Sequence, residues 1–326
     1  MTKKKSAAMA ESAAHTRIPA NKKGLVYYFY KRRNQIPFYV MLIIPVIFYL
    51  VMQYWPMFGI SIAFQNYKAG AAFFSSTTKW VGFQWFERLF QNPMLVRWIK
   101  NTLAISFLGL LFGFPCSVGL ALLLNEIRLK WLRKLTSNVS LLPYFISTAV
   151  IVAILNNIFS PDNGVVNALL VKLGYEEINF LSSSEWFRPL YIGSGIWAGT
   201  GFSAVVYTAA ISGIDPELYE AAALDGSTRW KNIFTITIPC IMPTVIIMLI
   251  LQIGSLMSVG YEKIILMYSP GIYDVSDTLS TYSYRAGILD GKLSLSAAIN
   301  LFNTVCNLTL LCSSNWIAKK VSGNGL

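Results

Sequence analysis

The sequence predicts an all-α integral membrane protein with six spanning helices. Of its 326 residues, 55% are hydrophobic and only 13% charged, and the mean hydropathy is +0.51. Soluble domains carry about 25% charged residues. Apolar stretches of the roughly 20 residues needed to cross a bilayer core recur along the chain. The basic residues cluster between those stretches, chiefly on one side of the implied membrane.

The spans are predicted at 38–62, 102–124, 139–159, 190–211, 241–259 and 297–317. Pro45 and Pro56 should bend the first, and Pro143 lies near the start of the third. The first apolar run begins near Ile36, exceeds the length of a signal-peptide core and has no small-residue cleavage site after it. It is therefore expected to remain as a signal-anchor helix. Residues 1–35 form a basic tail, 36–320 the membrane domain and 321–326 a C-terminal tail.

Charge sets the orientation. Nine basic residues precede the first span, four lie in 125–137, two in 213–238 and two near the C-terminus, so 17 of the 27 fall on one side. By the positive-inside rule that side is the cytoplasm, and both termini lie there. The net charge of +12 does not point to nucleic acid, because the tail's charges abut a membrane span. Loop 65–98, on the outer side, holds Trp80, Trp85, Phe86, Phe90 and Trp98, and 81–90 reads as a short surface helix. Loops 160–188 and 260–296 are the other two long outer segments.

Enzymatic chemistry finds little support. Cys116, Cys240, Cys306 and Cys312 sit in or beside apolar segments without a C-x-x-C pair, and the only histidine, His15, lies in the polar tail. We therefore expect no metal site and no catalytic residues. The segment Gly287-Ile288-Leu289-Asp290-Gly291-Lys292-Leu293 is one residue short of a phosphate-binding loop and lacks its final Ser or Thr.

The informative stretch is the cytoplasmic loop 213–239. Asp215 is a good helix N-cap and Pro216 a good first helical residue. Glu217 and Glu220 fall near the positive end of the helix dipole. Ala221, Ala222 and Ala223 keep the helix thin, Gly226 after Asp225 suits its C-terminus, and Ser227 is expected to cap a second helix running to Pro239. The product is a helix–turn–helix elbow at the inner face of the membrane.

The elbow resembles the signature of ATP-binding-cassette (ABC) importer permeases: E-A-A, three residues, G, nine residues, then I-x-L-P. Glu220-Ala221-Ala222, Gly226 and Ile236-Thr237-Ile238-Pro239 match at that spacing, with Ile238 in place of the usual leucine. Over most of its length the chain is similar to the carbohydrate-uptake class, LplB-like subfamily. Weaker support comes from 54–60, from Asp277 to Arg285 and from 317–323. The resemblance implies a type I importer fold in a bacterial plasma membrane. It implies a second, homologous permease forming a heterodimer, two ATPase subunits that bind ATP and Mg, and an extracytoplasmic solute-binding lipoprotein. No cofactor is expected in this chain itself. Glu220, Ala221, Ala222, Asp225, Gly226, Ile236 and Pro239 become the ATPase-coupling residues, Glu220 pairing with a basic residue of the ATPase.

Candidate pathway residues inside the spans are Asn156, Asn157, Trp197, Tyr207 and Gln252. Polar side chains at membrane depth face a bundle interior or a cavity, and amides and aromatic faces suit sugar hydroxyls and ring faces. An uncharged oligosaccharide is the expected solute. A stand-alone secondary transporter is the alternative; it predicts intramembrane ionisable residues or paired broken helices. A membrane sugar transferase would need clustered Asp, Glu or His at a membrane face, which the sequence lacks.

Overall fold

The computed structural model describes residues 36–71 and 78–322. The predicted basic tail 1–35 and most of the predicted C-terminal tail 321–326 lie outside the described residues. The chain divides into two units, 1–58 and 59–326.

In the first unit, helix α1 (Ile36–Tyr49) passes through a π turn, Leu50–Tyr54, into Trp55–Met57. Residues 37–58 are all exposed and nearly all apolar, as befits a helix surrounded by hydrocarbon rather than water. Pro56 has no N–H to return to the preceding turn, and the widened π turn lies directly before it. The whole apolar helical stretch, Pro37–Phe64, is long enough to cross a membrane.

The second unit is built around two long helices, α3 (Leu95–Glu126) and α7 (Ser184–Ser212). Ahead of them, Gln65–Asn66 pairs antiparallel with Lys79–Trp80, and α2 (Gln84–Phe90) covers the pair. The expected surface helix is therefore present, but Leu89 is fully buried and Trp85 Nε1 donates to the Gln65 carbonyl at 2.9 Å. Next come α4 (Lys130–Leu141), α5 (Thr148–Phe159) and α6 (Val165–Lys172). After α7 follow α8 (Pro216–Leu224), α9 (Arg229–Asn232) and α10 (Ile238–Ile253), the last two joined by the π turn Ile233–Thr237. Three short helices, α11 (Tyr261–Met267), α12 (Tyr273–Ser276) and α13 (Leu279–Tyr284), precede the final helix α14 (Leu293–Ser322).

Among the described residues, four helices are long and apolar enough to span: Pro37–Phe64, Leu95–Glu126, Arg229–Ile253 and Leu293–Lys320. The predicted third span, 139–159, is not one continuous helix. It straddles the break in a pair of helices, Lys130–Phe145 and Thr148–Phe159, bent by 98°. The cause is local: Pro143 sits in a 3-10 turn, Ile146 and Ser147 are extended, and Ser147 Oγ accepts from Val150 N to start a new helix. The predicted fourth span lies within α7, whose 29 residues measure about 44 Å at 1.5 Å per residue. Gly193, Ser194, Gly195, Gly199, Thr200, Gly201 and Ser203 lower its hydropathy. Small residues let helices approach closely. At Gly201 a Cβ would run into the Ser140 carbonyl of α4, so the two backbones touch there.

The segment 260–296, expected as an outer loop, is instead a folded subdomain. Ile264, Ile272, Leu279 and Thr281 are fully buried, and Leu279 packs with Leu89, Trp98, Met257 and Ile299. Asp277 ties this segment to α3. Its carboxylate accepts from Trp98 Nε1 at 2.7 Å, from an Arg285 guanidinium nitrogen at 2.7 Å and from Thr281 Oγ1 at 2.6 Å. Asn101 Nδ2 donates to the Asp277 and Asp274 carbonyls, and Arg188 donates to Asn101 Oδ1. Trp98 also stacks on Tyr282, centroids 3.7 Å apart. The run from Asp277 to Arg285 is thus an anchor between α13 and the start of α3.

Candidate functional site: a capped elbow and a polar cavity

The elbow forms as its residues dictate. Asp215 Oδ1 accepts from Glu217 N at 3.0 Å, and Pro216 opens α8. At the other end, Ser227 N donates to the Ala222 carbonyl and Gly226 N to the Ala223 carbonyl, the paired bonds of a Schellman cap. That cap needs a left-handed residue, and Gly226 has φ +71° with open space where a Cβ would go. Glycine is required here by conformation rather than by crowding. The second helix is capped by Thr228, whose Oγ1 accepts from Lys231 N, and not by Ser227 as predicted. Ser227 Oγ bonds to Asn232 Oδ1 at 2.6 Å instead.

Three features hold the elbow in shape and tie it to α3. Tyr219 Oη and Thr237 Oγ1 share a hydrogen bond of 2.9 Å, and Thr237 is buried. Arg229 lies 3.5 Å from Glu126 at the end of α3. Ile233 is buried below the π turn that precedes Pro239. Facing outward, Glu220, Ala221 and Asp225 are exposed while Ala222 and Ile236 are half-buried. Leu218, Trp230 and Phe234 are exposed, and Leu224 is 90% exposed at the tip. Leu224 escaped the sequence reading; its signal was an apolar residue two before a helix-ending glycine.

The second feature is a cavity of about 440 Å³ bounded by α3, α7 and α10. Both long walls carry small residues, Ser106, Gly109 and Gly113 on α3 and Gly195, Gly199 and Ser203 on α7, interspersed with larger apolar ones such as Leu110, Phe114 and Ile196. One end is closed by the cluster of Ile105, Phe187, Val259 and Ile264, and the other approaches the cluster around Tyr207. Gln252 lines this cavity, together with Tyr191, Ser255 and Lys263.

The predicted pathway residues do not converge. Trp197 lines a separate, largely apolar groove against α5, with Ile151 and Leu155. Tyr207 is fully buried, edge-on to Phe114 and packed near Ala121 and Ile241. Asn156 and Asn157 are exposed on α5, where Asn157 Nδ2 donates back to the Ala153 carbonyl at 2.9 Å. Among the described residues no cluster of His, Cys, Asp and Glu could hold a metal ion.

Residues 113–323 match the family model described as binding-protein-dependent transport system inner membrane component. The chain belongs to that family. It is 40% identical over 288 residues to protein LplB of Bacillus subtilis, covering 88% of this chain and 90% of LplB. It is 38% identical over 288 residues to the polygalacturonan/rhamnogalacturonan transport system permease protein YteP of the same organism, covering 88% of this chain and 89% of YteP. Among solved structures, a chain of a bacterial alginate ABC transporter, in complex with its alginate pentasaccharide-bound periplasmic protein, superposes with a TM-score of 0.81. That chain is 39% identical, over 91% of this protein and 99% of the other. By family, then, this protein is a permease component of a membrane importer that works with a binding protein.

Proposed function

We propose that this chain is the permease subunit of an ABC importer for oligosaccharides, coupled to its ATPase through the elbow 213–239. The observation that carries the reading is the elbow itself. Its capped and bonded helices make a rigid unit continuous with α10, and that unit presents Glu220 and Leu224 outward. A rigid lever joined to a membrane helix converts movement of a docked partner into movement of the span. The oligosaccharide class is supported by the named substrates of YteP and of the alginate transporter.

In this reading six segments cross the plasma membrane, with the bent pair as the third and α7 as the fourth, and both termini are cytoplasmic. A second permease completes the pathway, two ATPase subunits bind ATP and Mg at the inner face, and a binding protein docks outside. Glu220, Ala221, Ala222, Asp225, Gly226, Ile236 and Pro239 form or hold the ATPase-coupling surface. Gln252 borders the route through the cavity; Trp197, Asn156 and Asn157 lie where a second permease or lipid would meet the chain; Tyr207 supports the walls.

Copurification tests the proposal. Tagged protein extracted in mild detergent is expected to bring down an ABC ATPase and a second permease, and uptake is expected to stop without ATP. Recovery of the chain alone, with uptake sustained by an ion gradient, would establish the secondary-transporter reading instead.

A further inference from the structure

The cavity between α3, α7 and α10 contains one cation and no anion. Lys263, from α11, reaches into it. Its ammonium donates to the Tyr191 carbonyl at 2.7 Å and lies 4.5 Å from the centre of the Tyr191 ring. Gly195, one turn along α7 from Tyr191, also borders the ammonium, with Nζ 3.5 Å from where a Cβ would stand. No Asp or Glu lines the cavity, and among the described residues the ion pairs are Arg229–Glu126, Arg285–Asp277 and Lys292–Asp290. An ammonium has three N–H donors, and Tyr191 uses one. A half-buried cation without a counter-ion is costly, and burial draws the Lys263 pKa down to about 8. The remaining lining mixes small and hydroxylated residues with apolar ones such as Leu110, Phe114 and Ile196, so Lys263 is its single fixed charge.

We propose that Lys263 is a specificity-determining residue of the transport route, its ammonium receiving the carboxylate of an acidic sugar unit in this cavity. The inference rests on the reading of the chain as an oligosaccharide permease and replaces the expectation of an uncharged solute. Its chemistry is a charge-assisted hydrogen bond from the ammonium to a carboxylate. The substrates of two relatives agree with this: one solved relative imports the acidic polysaccharide alginate, and polygalacturonan, named for another, is a polymer of a uronic acid.

The test uses the complete complex in proteoliposomes, with its own binding protein and ATP, and two probes: trigalacturonate and its fully methyl-esterified form. Loss of one charged hydrogen bond corresponds to roughly a tenfold to hundredfold effect. Lys263→Met is expected to reduce trigalacturonate uptake by that factor and to leave ester uptake within about twofold. Lys263→Arg is expected to retain most acid uptake, and this comparison decides where the parent carries only the acid. Equal loss for both probes, no loss for the acid, or failure of Lys263→Met to retain the second permease overturns the proposal. Parent complexes that import arabinotriose but not trigalacturonate overturn it as well and leave the importer reading standing. ATP-independent uptake, or none of any probe, overturns both.

Discussion

Asp277→Ala is expected to loosen the outer subdomain from α3, and the size of the effect follows from its partners. The substitution removes one acceptor from Trp98 Nε1, Arg285 and Thr281 together. Stranding a charge in a buried pair costs about 3–5 kcal/mol, and hydrogen bonds to charged groups contribute about 1.5–3 kcal/mol each. These terms are not additive, and the Arg285 side chain retains 26% of its exposure, so water recovers part of the loss. We expect about 3 kcal/mol, roughly a hundredfold in the folding equilibrium. Asp277→Asn, which keeps one acceptor oxygen, should cost about half as much. The assay is reversible unfolding in mixed micelles, followed by Trp fluorescence. Arg285→Met combined with Asp277→Ala should cost less than the two separate losses together, because the second change removes the stranded charge. A parent-like midpoint for Asp277→Ala, or additive losses in the double variant, would refute the reasoning.

Two further outcomes follow from the geometry. Gly201→Val should destabilise the chain by about 1–3 kcal/mol or more through overpacking, because its Cβ meets the Ser140 backbone rather than a movable side chain; an unchanged unfolding midpoint would show that α4 can shift. For Lys263, whose folded pKa of about 8 lies below the ordinary 10.5, trigalacturonate uptake should fall as pH rises from 7 to 9 while ester uptake stays level. Stability moves the other way: the unfolded chain binds the extra proton between about 8 and 10.5, so Lys263 favours folding increasingly as pH rises through that window. Lys263→Met should abolish both dependences, and their persistence would assign them to another group.

Much of the elbow was legible because caps are local chemistry. Asp215, Pro216 and Gly226 act within a few residues of themselves, so their roles needed no tertiary information. The cap at Thr228 rather than Ser227 shows the limit: both are hydroxyl residues, and the choice turns on Ser227 being drawn to Asn232. Span existence was legible from apolar length, but the break at Ile146 and Ser147 was not, because nothing apolar is lost across it. Lys130, Arg133 and Lys134 made 125–137 look like a connecting loop, whereas they open α4, a helix that half-buries Leu132, Arg133, Thr136 and Ser140 and leaves Lys130 and Lys134 exposed. Faces within α7 were beyond reach. A helix apolar on every side carries no signal for which ring meets a neighbour, so Trp197 and Tyr207 went to a groove and to the core. The folded outer segment had left a trace in Thr278 and Thr281, which form a capping box, but hydrophilic length outweighed it.

The most direct test of the account is Glu220→Lys in the reconstituted complex. Glu220 is exposed on a helix whose shape is set by Asp215 and Gly226, so the substitution should leave folding and membrane insertion intact. If Glu220 pairs with a basic residue of the ATPase, as proposed, reversing its charge costs several kcal/mol of docking. Binding-protein-stimulated ATP hydrolysis and sugar uptake are therefore expected to fall by roughly tenfold or more together. Parent-like stimulation and uptake in Glu220→Lys would contradict the claim that this elbow transmits the ATPase stroke.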